Sequence, residues 1–434
     1  MYQKSKSISE VVTSKVTYLH NYLPANVASS SKDSIQEFAT KNAPELPVYF
    51  FRPQSVKKAT SFFKQNFRFN YHKSRILYSV KSNPDQETLK LLFSNGIKEF
   101  DVASLNEVKL ISQLFGDDVK MYFMHPVKSI QAISKAYFEY GVRDFSLDSS
   151  EELNKIVSAT KNAKDLNLHV RLAIPRSNAA IELSTKFGIL PSHSIGLIRK
   201  SRNFAKKLGI CFHVGSQCMD PIEYRKAIMI ASDCIKTSSV KIDVLDIGGG
   251  FPSIYPTFRP PKLVNYFEEI IDSINSINLD KDCEIWCEPG RALVTESTSL
   301  LVKVELRKDN NLYINDGTYG GLFDAGTPEF TYPCRAIRVN NKSKLESEMD
   351  SFSFFGPTCD SIDFMKGPFY LPKNIKTGDY IEIYQLGSYS KTMRTNFNGF
   401  ADYLQVQINE DLHFSIFDED CEVNDAISIL RPLL

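Results

Sequence analysis

Long apolar runs are missing from this 434-residue sequence, and nothing in it approaches the length of a membrane-spanning segment. The opening Met1-Tyr2-Gln3-Lys4-Ser5-Lys6 has no apolar signal core, so a secreted or membrane-anchored product is not expected. An excess of one charge is missing as well. Lys and Arg number 52 against 51 Asp and Glu, a net of +1, which offers no bulk attraction for nucleic acid or an anionic membrane. The eight cysteines are scattered, with no Cys-x-x-Cys and no Cys/His grouping of zinc spacing, so no metal site is expected. A reduced, cytoplasmic protein is the simplest reading.

What is present is a rhythm. Short β-favouring runs recur at Ile76–Val80, Glu99–Ala103, Val119–Met124, Val142–Leu147, Leu168–Ile174, Ile210–Val214, Val244–Ile247 and Glu284–Cys287. Between them lie helix-like stretches such as Gln86–Ser94, Leu105–Leu114, Ile130–Tyr140 and Glu151–Ala159. Asp148-Ser149-Ser150-Glu151 supplies an N-cap and an acidic first turn for the last of these. Strand-like runs alternating with helices imply parallel β/α units. Eight units in roughly 210 residues suit one (β/α)8 barrel, a fold of about 250 residues. An open doubly wound sheet is the alternative, and it predicts chemistry at a single crevice.

The polar residues favour the barrel. Ile76–Val80 runs into Lys81, which Asn83-Pro84 follows, and the second run carries Asp101. The fifth carries Arg171, and the sixth ends in His213-Val214-Gly215-Ser216. The seventh ends in Asp246-Ile247-Gly248-Gly249-Gly250-Phe251-Pro252, and the eighth in Cys287-Glu288-Pro289-Gly290-Arg291. In a barrel all of these reach the C-terminal mouth, where active sites are built. A lone lysine at a strand end is ordinarily solvated, and three glycines are ordinarily a flexible turn. Together they suggest a Schiff-base lysine beside a phosphate cradle, the pairing that pyridoxal 5'-phosphate requires. No nucleophile–base pair supports a barrel hydrolase.

These motifs resemble, in order, those of fold-type III pyridoxal-phosphate-dependent decarboxylases of the ornithine decarboxylase family. The matching segments are Tyr78-Ser79-Val80-Lys81-Ser82-Asn83, Phe100-Asp101-Val102-Ala103-Ser104, Phe212-His213-Val214-Gly215-Ser216, Gly248-Gly249-Gly250-Phe251-Pro252 and Cys287-Glu288-Pro289-Gly290-Arg291. Downstream come Gly356-Pro357-Thr358-Cys359-Asp360-Ser361, Gly387-Ser388-Tyr389 and Phe397-Asn398-Gly399-Phe400. Met124-His125-Pro126-Val127-Lys128-Ser129 looks more like the bacterial ornithine/lysine branch. The resemblance implies an alanine racemase-like (β/α)8 barrel over 47–294 and an all-β domain over 295–434, with the segment 1–46 joining the β domain.

The resemblance also implies roles. Lys81 carries the cofactor as a Schiff base, Glu288 pairs with the pyridine nitrogen and His213 stacks on the ring. Ser216, Gly248, Gly249, Gly250, Pro289, Gly290, Arg291 and Tyr389 frame the phosphate site, with Asp101, Glu107 and Arg171 as supporting residues. Cys359, the expected proton donor, and Asp360 and Asp324, expected to hold a distal ammonium, come from the partner of a homodimer with shared sites. Phe323 and Phe397 line the channel. Two carboxylates at the far end point to a diamino acid. Ornithine ranks first, giving putrescine for polyamine synthesis; dual lysine/ornithine use ranks second, diaminopimelate well behind. A non-catalytic decarboxylase-like regulator is the alternative from another class, disfavoured because Lys81, Gly248–Gly250, Glu288, Cys359 and Asp360 are all kept.

After Thr295 the β/α rhythm is lost. Strand-like runs at Ser299–Leu306, Leu312–Ile314, Ala336–Val339, Tyr380–Tyr384, Tyr403–Ile408 and His413–Phe417 predict the β domain, and Val48–Phe51 is a further strand candidate.

Overall fold

The computed structural model describes residues 27–31, 34–174, 179–181, 186–327, 329–339, 343–409 and 415–417. Its centre is a ring of parallel strands. Ser74–Ile76 pairs with Glu284–Cys287, and the ladder continues through Val244–Asp246, Lys207–Cys211, Asn167–Arg171, Asp144–Leu147, Lys120–Phe123 and Glu99–Val102 to Tyr78–Ser79. The two end segments are halves of one strand interrupted at Leu77, whose N–H donates to Cys287 O at 2.9 Å. Counted so, the barrel has eight strands and closes on itself. The strand residues between the polar ends are mostly buried, because helices cover the ring outside and side chains fill it inside.

The helices start where the sequence places caps. Ser104, Ser129 and Ser149 each follow a barrel strand, and each Oγ accepts an N–H one turn on, from Glu107, Ala132 and Glu152, at 3.2, 3.1 and 3.1 Å. A cap of this kind contributes about 1 kcal/mol. The sixth strand lies three residues earlier than expected, at Lys207–Cys211 rather than Ile210–Val214. Lys207 can begin a barrel strand because its ammonium reaches Glu284 at 3.2 Å. His213 and Val214 consequently lie beyond the strand, in the turn at the mouth.

A second, mixed sheet follows. Thr298–Lys308 is flanked by Tyr380–Ile383 and Val48–Phe51, both antiparallel to it, and the sheet extends through Asn311–Ile314, Met349–Phe355 and Phe364–Pro372. Val48–Phe51 also pairs in parallel with Leu404–Ile408, so chain from both ends of the sequence meets in this sheet. Arg52 fastens the crossing, donating to Glu382 at 3.0 Å and to Ser299 Oγ at 2.9 Å, both buried. Val48–Phe51, read from the sequence as the start of the barrel part, thus pairs within this second sheet. Met349–Phe355 and Phe364–Pro372 have no counterpart in the sequence reading. Their buried residues alternate with exposed ones, and Gly367-Pro368 resembles a turn signal. Of the expected His413–Phe417 strand, 413 and 414 lie outside the described residues. Ser415–Phe417 forms a turn tied to Glu296, with Ser415 Oγ donating at 2.6 Å. No helix among the described residues is long and apolar enough to cross a membrane.

Candidate active site

Lys81 sits in the 3-10 turn Val80–Ser82 that follows Tyr78–Ser79, with Nζ 3.6 Å from Asp101 Oδ2. Asp101 is buried, and Ser79 Oγ donates to the same oxygen at 2.6 Å. Burial works against the Lys81 ammonium, but Asp101, Tyr389 and Glu288 together hold its pKa above the usual lysine value. Glu107, in the first turn after the Ser104 cap, accepts the Ala103 N–H at 2.6 Å. Burial, with Asp101 acting the same way, pushes its pKa from 4.5 up to about 7.

A carboxyl that binds its proton more tightly when folded makes the fold less stable as pH rises between those two values. Glu107→Gln lacks the titration. Its stability relative to the unaltered protein should therefore improve from pH 4.5 to pH 7, by up to about 3 kcal/mol. Denaturant unfolding at several pH values measures this, and a difference that stays flat contradicts the buried, protonated Glu107.

His213 lies beyond the sixth strand, its Nδ1 accepting the Gly215 N–H at 3.0 Å. Burial, reinforced by Arg171 and Lys81, holds its pKa well below the ordinary value, so the imidazole is neutral and its face is free to stack. Arg171 ends the strand Asn167–Arg171 and stands over the Phe187 ring. The triple glycine is needed for close approach. Gly248 and Gly250 have φ of +69° and +104°, and a Cβ on Gly250 would stand 2.4 Å from Gly215 O. Pro289 and Gly290 offer backbone only: Pro289 O accepts the Ser79 N–H at 3.2 Å, and Gly290 packs on Ser82.

Beside this cradle is the buried Arg291. It donates to Tyr255 OH at 2.8 Å, to Asp324 Oδ2 at 3.2 Å and to Ser216 Oγ at 3.5 Å, and the Tyr389 ring lies 4.8 Å from its guanidinium. Its Nε is buried without an acceptor. Tyr389 is brought across from the second part of the chain by its own N–H, which donates to Ser82 O at 2.9 Å, and by Asn83 Nδ2, which donates to Gly387 O at 2.7 Å. A guanidinium with an unused donor, a serine hydroxyl and a loop without Cβ atoms fit a phosphate. An amine at the mouth, a neutral imidazole and the Glu288 carboxyl fit the rest of a pyridoxal phosphate.

The second set of residues stands apart. Cys359 is exposed, the one exposed cysteine among the described residues, and its N–H donates to Asn398 Oδ1 at 3.0 Å. Asp360 accepts from Tyr319 OH at 2.6 Å and from the Ile362 N–H at 3.0 Å, and these bonds, the first above all, lower its pKa. Phe397 packs on Tyr319 with ring centres 4.9 Å apart, and Phe323 is exposed nearby in sequence. Buried Asp363 clamps the motif from below, accepting the Thr318 N–H at 2.7 Å and the Thr358 hydroxyl at 2.8 Å.

Asp324 departs from the sequence expectation. The 3-10 turn Phe323–Gly326 directs it inward, where it is buried against Arg291 of its own chain, so it is not offered to a partner or to an exposed ammonium. Sequence reasoning also passed over Ser79, Tyr319, Asp363 and Asp246. Ser79 and Asp246 were inside recognised motifs but had no role to draw attention to them. Tyr319 and Asp363 act through contacts some forty positions apart, 41 for Tyr319 to Asp360 and 45 for Thr318 to Asp363.

Residues 54–295 match the family described as pyridoxal-dependent decarboxylase, pyridoxal binding domain. The lysine/ornithine decarboxylase of Selenomonas ruminantium is 32% identical over 348 residues, covering 78% of this chain and 85% of that protein. Antizyme inhibitor 2 of Xenopus laevis is 31% identical over 353 residues, covering 74% of this chain and 73% of that protein. Among solved structures, the arginine decarboxylase of Paramecium bursaria Chlorella virus bound to agmatine superposes with a TM-score of 0.73 at 26% identity, covering 86% of this chain and 100% of that one.

Proposed function

The chain belongs to the pyridoxal-dependent decarboxylase family, and from that membership we propose that it removes carbon dioxide from L-ornithine to leave putrescine. The observation that carries the choice of substrate class is the Asp360 carboxylate, kept ionised by Tyr319 OH at 2.6 Å. A half-buried anion beside an exposed cysteine attracts a distal ammonium and repels a second carboxylate, which disfavours diaminopimelate.

The division of labour follows from the residues. Arg291, Ser216 and the Gly248–Gly250 loop anchor the phosphate, while His213 and Glu288 orient the ring. Lys81 would carry the cofactor covalently through its Nζ. When bound, the cofactor would supply an electron sink for Cα. Cys359 of the partner subunit then delivers a proton to Cα, and Asp360 of the partner subunit holds the far ammonium. A homodimer is part of this reading: Cys359 and Asp360 contact Asn398, Ile362 and Tyr319 in turns of the second part of the chain, outside the lysine cluster, so a partner subunit would have to bring them to Lys81.

Lysine is the second reading, favoured by the Selenomonas relative, and differs from ornithine by one methylene, worth about 1–3 kcal/mol in a pocket. Ornithine, lysine and arginine offered together to the cofactor-loaded protein should yield putrescine in excess over cadaverine and agmatine. Cadaverine or agmatine as the main product would reassign the substrate within the same class.

A further inference from the structure

Asp246 closes the strand Val244–Asp246 and is fully buried. Its Oδ1 accepts the Gly248 N–H at 2.9 Å, while Oδ2 is buried with no N–H or hydroxyl donor. The Glu288 carboxyl lies within hydrogen-bonding reach of it, and the two turns cannot drift apart because the Glu288 N–H is tied to Gly248 O at 2.8 Å. Two carboxyls side by side in a buried site form a hydrogen bond only when one of them carries a proton.

The surroundings favour that single proton. Burial raises the pKa of both groups. Within the pair Asp246 raises Glu288 further while the Glu288 hydrogen bond lowers Asp246, so these groups by themselves leave the shared proton on Glu288. Asp101 raises both, Lys81 lowers Glu288 and His169 lowers Asp246. The thiols of Cys211 and Cys287 are the remaining titratable groups facing the pair. A protonated Glu288, however, cannot serve as the counter-ion of a protonated ring nitrogen. The unsatisfied Asp246 Oδ2 resolves the conflict.

We propose that Asp246 is a positioning residue that holds the pair's proton, so that Glu288 faces the cofactor's ring nitrogen as an anion. The proton moves along the hydrogen bond from Glu288 to Asp246 Oδ2, and no electrons change hands. The inference rests on the reading of Glu288 as the ring-nitrogen partner.

Asparagine imitates the protonated acid: its amide donates to Glu288 and its oxygen still accepts from Gly248. Asp246→Asn should therefore keep the absorption spectrum of the ring-protonated cofactor, with cofactor affinity within about threefold of the unaltered protein. Asp246→Ala should shift the spectrum toward the unprotonated ring, as Glu288→Gln does, and weaken cofactor binding by about 10–100-fold, typical of losing a residue that orients a direct contact. An Asn variant as damaged as the Ala variant, or an Ala variant with the normal spectrum, overturns the proposal. A normal spectrum in Glu288→Gln overturns instead the reading of Glu288. Infrared spectra do not depend on the Ala variant folding: the cofactor-loaded protein should show a protonated carboxyl band that Asp246→Asn lacks, and identical carboxyl regions overturn the proposal.

Discussion

Lys81→Ala should fold, yet form no covalent link to its cofactor and decarboxylate more slowly by about four to six orders of magnitude, the range seen when a group acting in concert with its neighbours is removed. The fold survives because the Lys81 side chain is 45% exposed at the barrel mouth and its charge contact with Asp101, at 3.6 Å, is not a packed core element. The proposed phosphate contacts of Arg291 and Ser216 are untouched, so the cofactor should still bind, without the absorption of an imine. Borohydride reduction checks the same point chemically. It should fix the cofactor to the unaltered protein at Lys81 and leave the variant unlabelled. Labelling elsewhere, or a variant with ordinary turnover, would remove Lys81 from the chemistry.

Two inactive variants should restore one another. Cys359 and Asp360 are fixed by Tyr319, Asn398 and Asp363 in turns of the second part of the chain, and Lys81 by the 3-10 turn after the first barrel strand. If each site combines Lys81 of one subunit with Cys359 of the other, Lys81→Ala mixed with Cys359→Ala gives heterodimers holding one intact site. Random exchange of equal amounts should recover roughly a quarter of normal activity. Cys359→Ala alone should bind cofactor normally. Mixtures that stay inactive after mass spectrometry has shown subunit exchange would place both residues in one chain's site.

Much of this was legible in the residues themselves. The barrel strands are mostly buried and so appear as short, largely apolar runs, and a serine cap marks the helix after several of them. The candidate residues stood out because strand ends in a barrel reach one mouth, as at Lys81, Arg171 and Glu288. Met349–Phe355 and Phe364–Pro372 were not, because half-buried strands with polar outer positions carry a weaker pattern. Asp324 looked like a free acid beside an aromatic residue, and only its burial against Arg291, 33 positions away, shows otherwise. Asp246 appeared as the end of a motif, and its pairing with Glu288 is a product of barrel closure. Long-range partners are set by the whole fold, and no local window contains them.

Catalysis itself is the decisive point. The measurement is carbon dioxide release from L-ornithine by protein shown spectroscopically to hold pyridoxal phosphate, with the diamine counted alongside. Equal amounts of carbon dioxide and putrescine over many turnovers are the predicted result. A cofactor-loaded protein that releases none from ornithine, lysine or arginine would contradict the account.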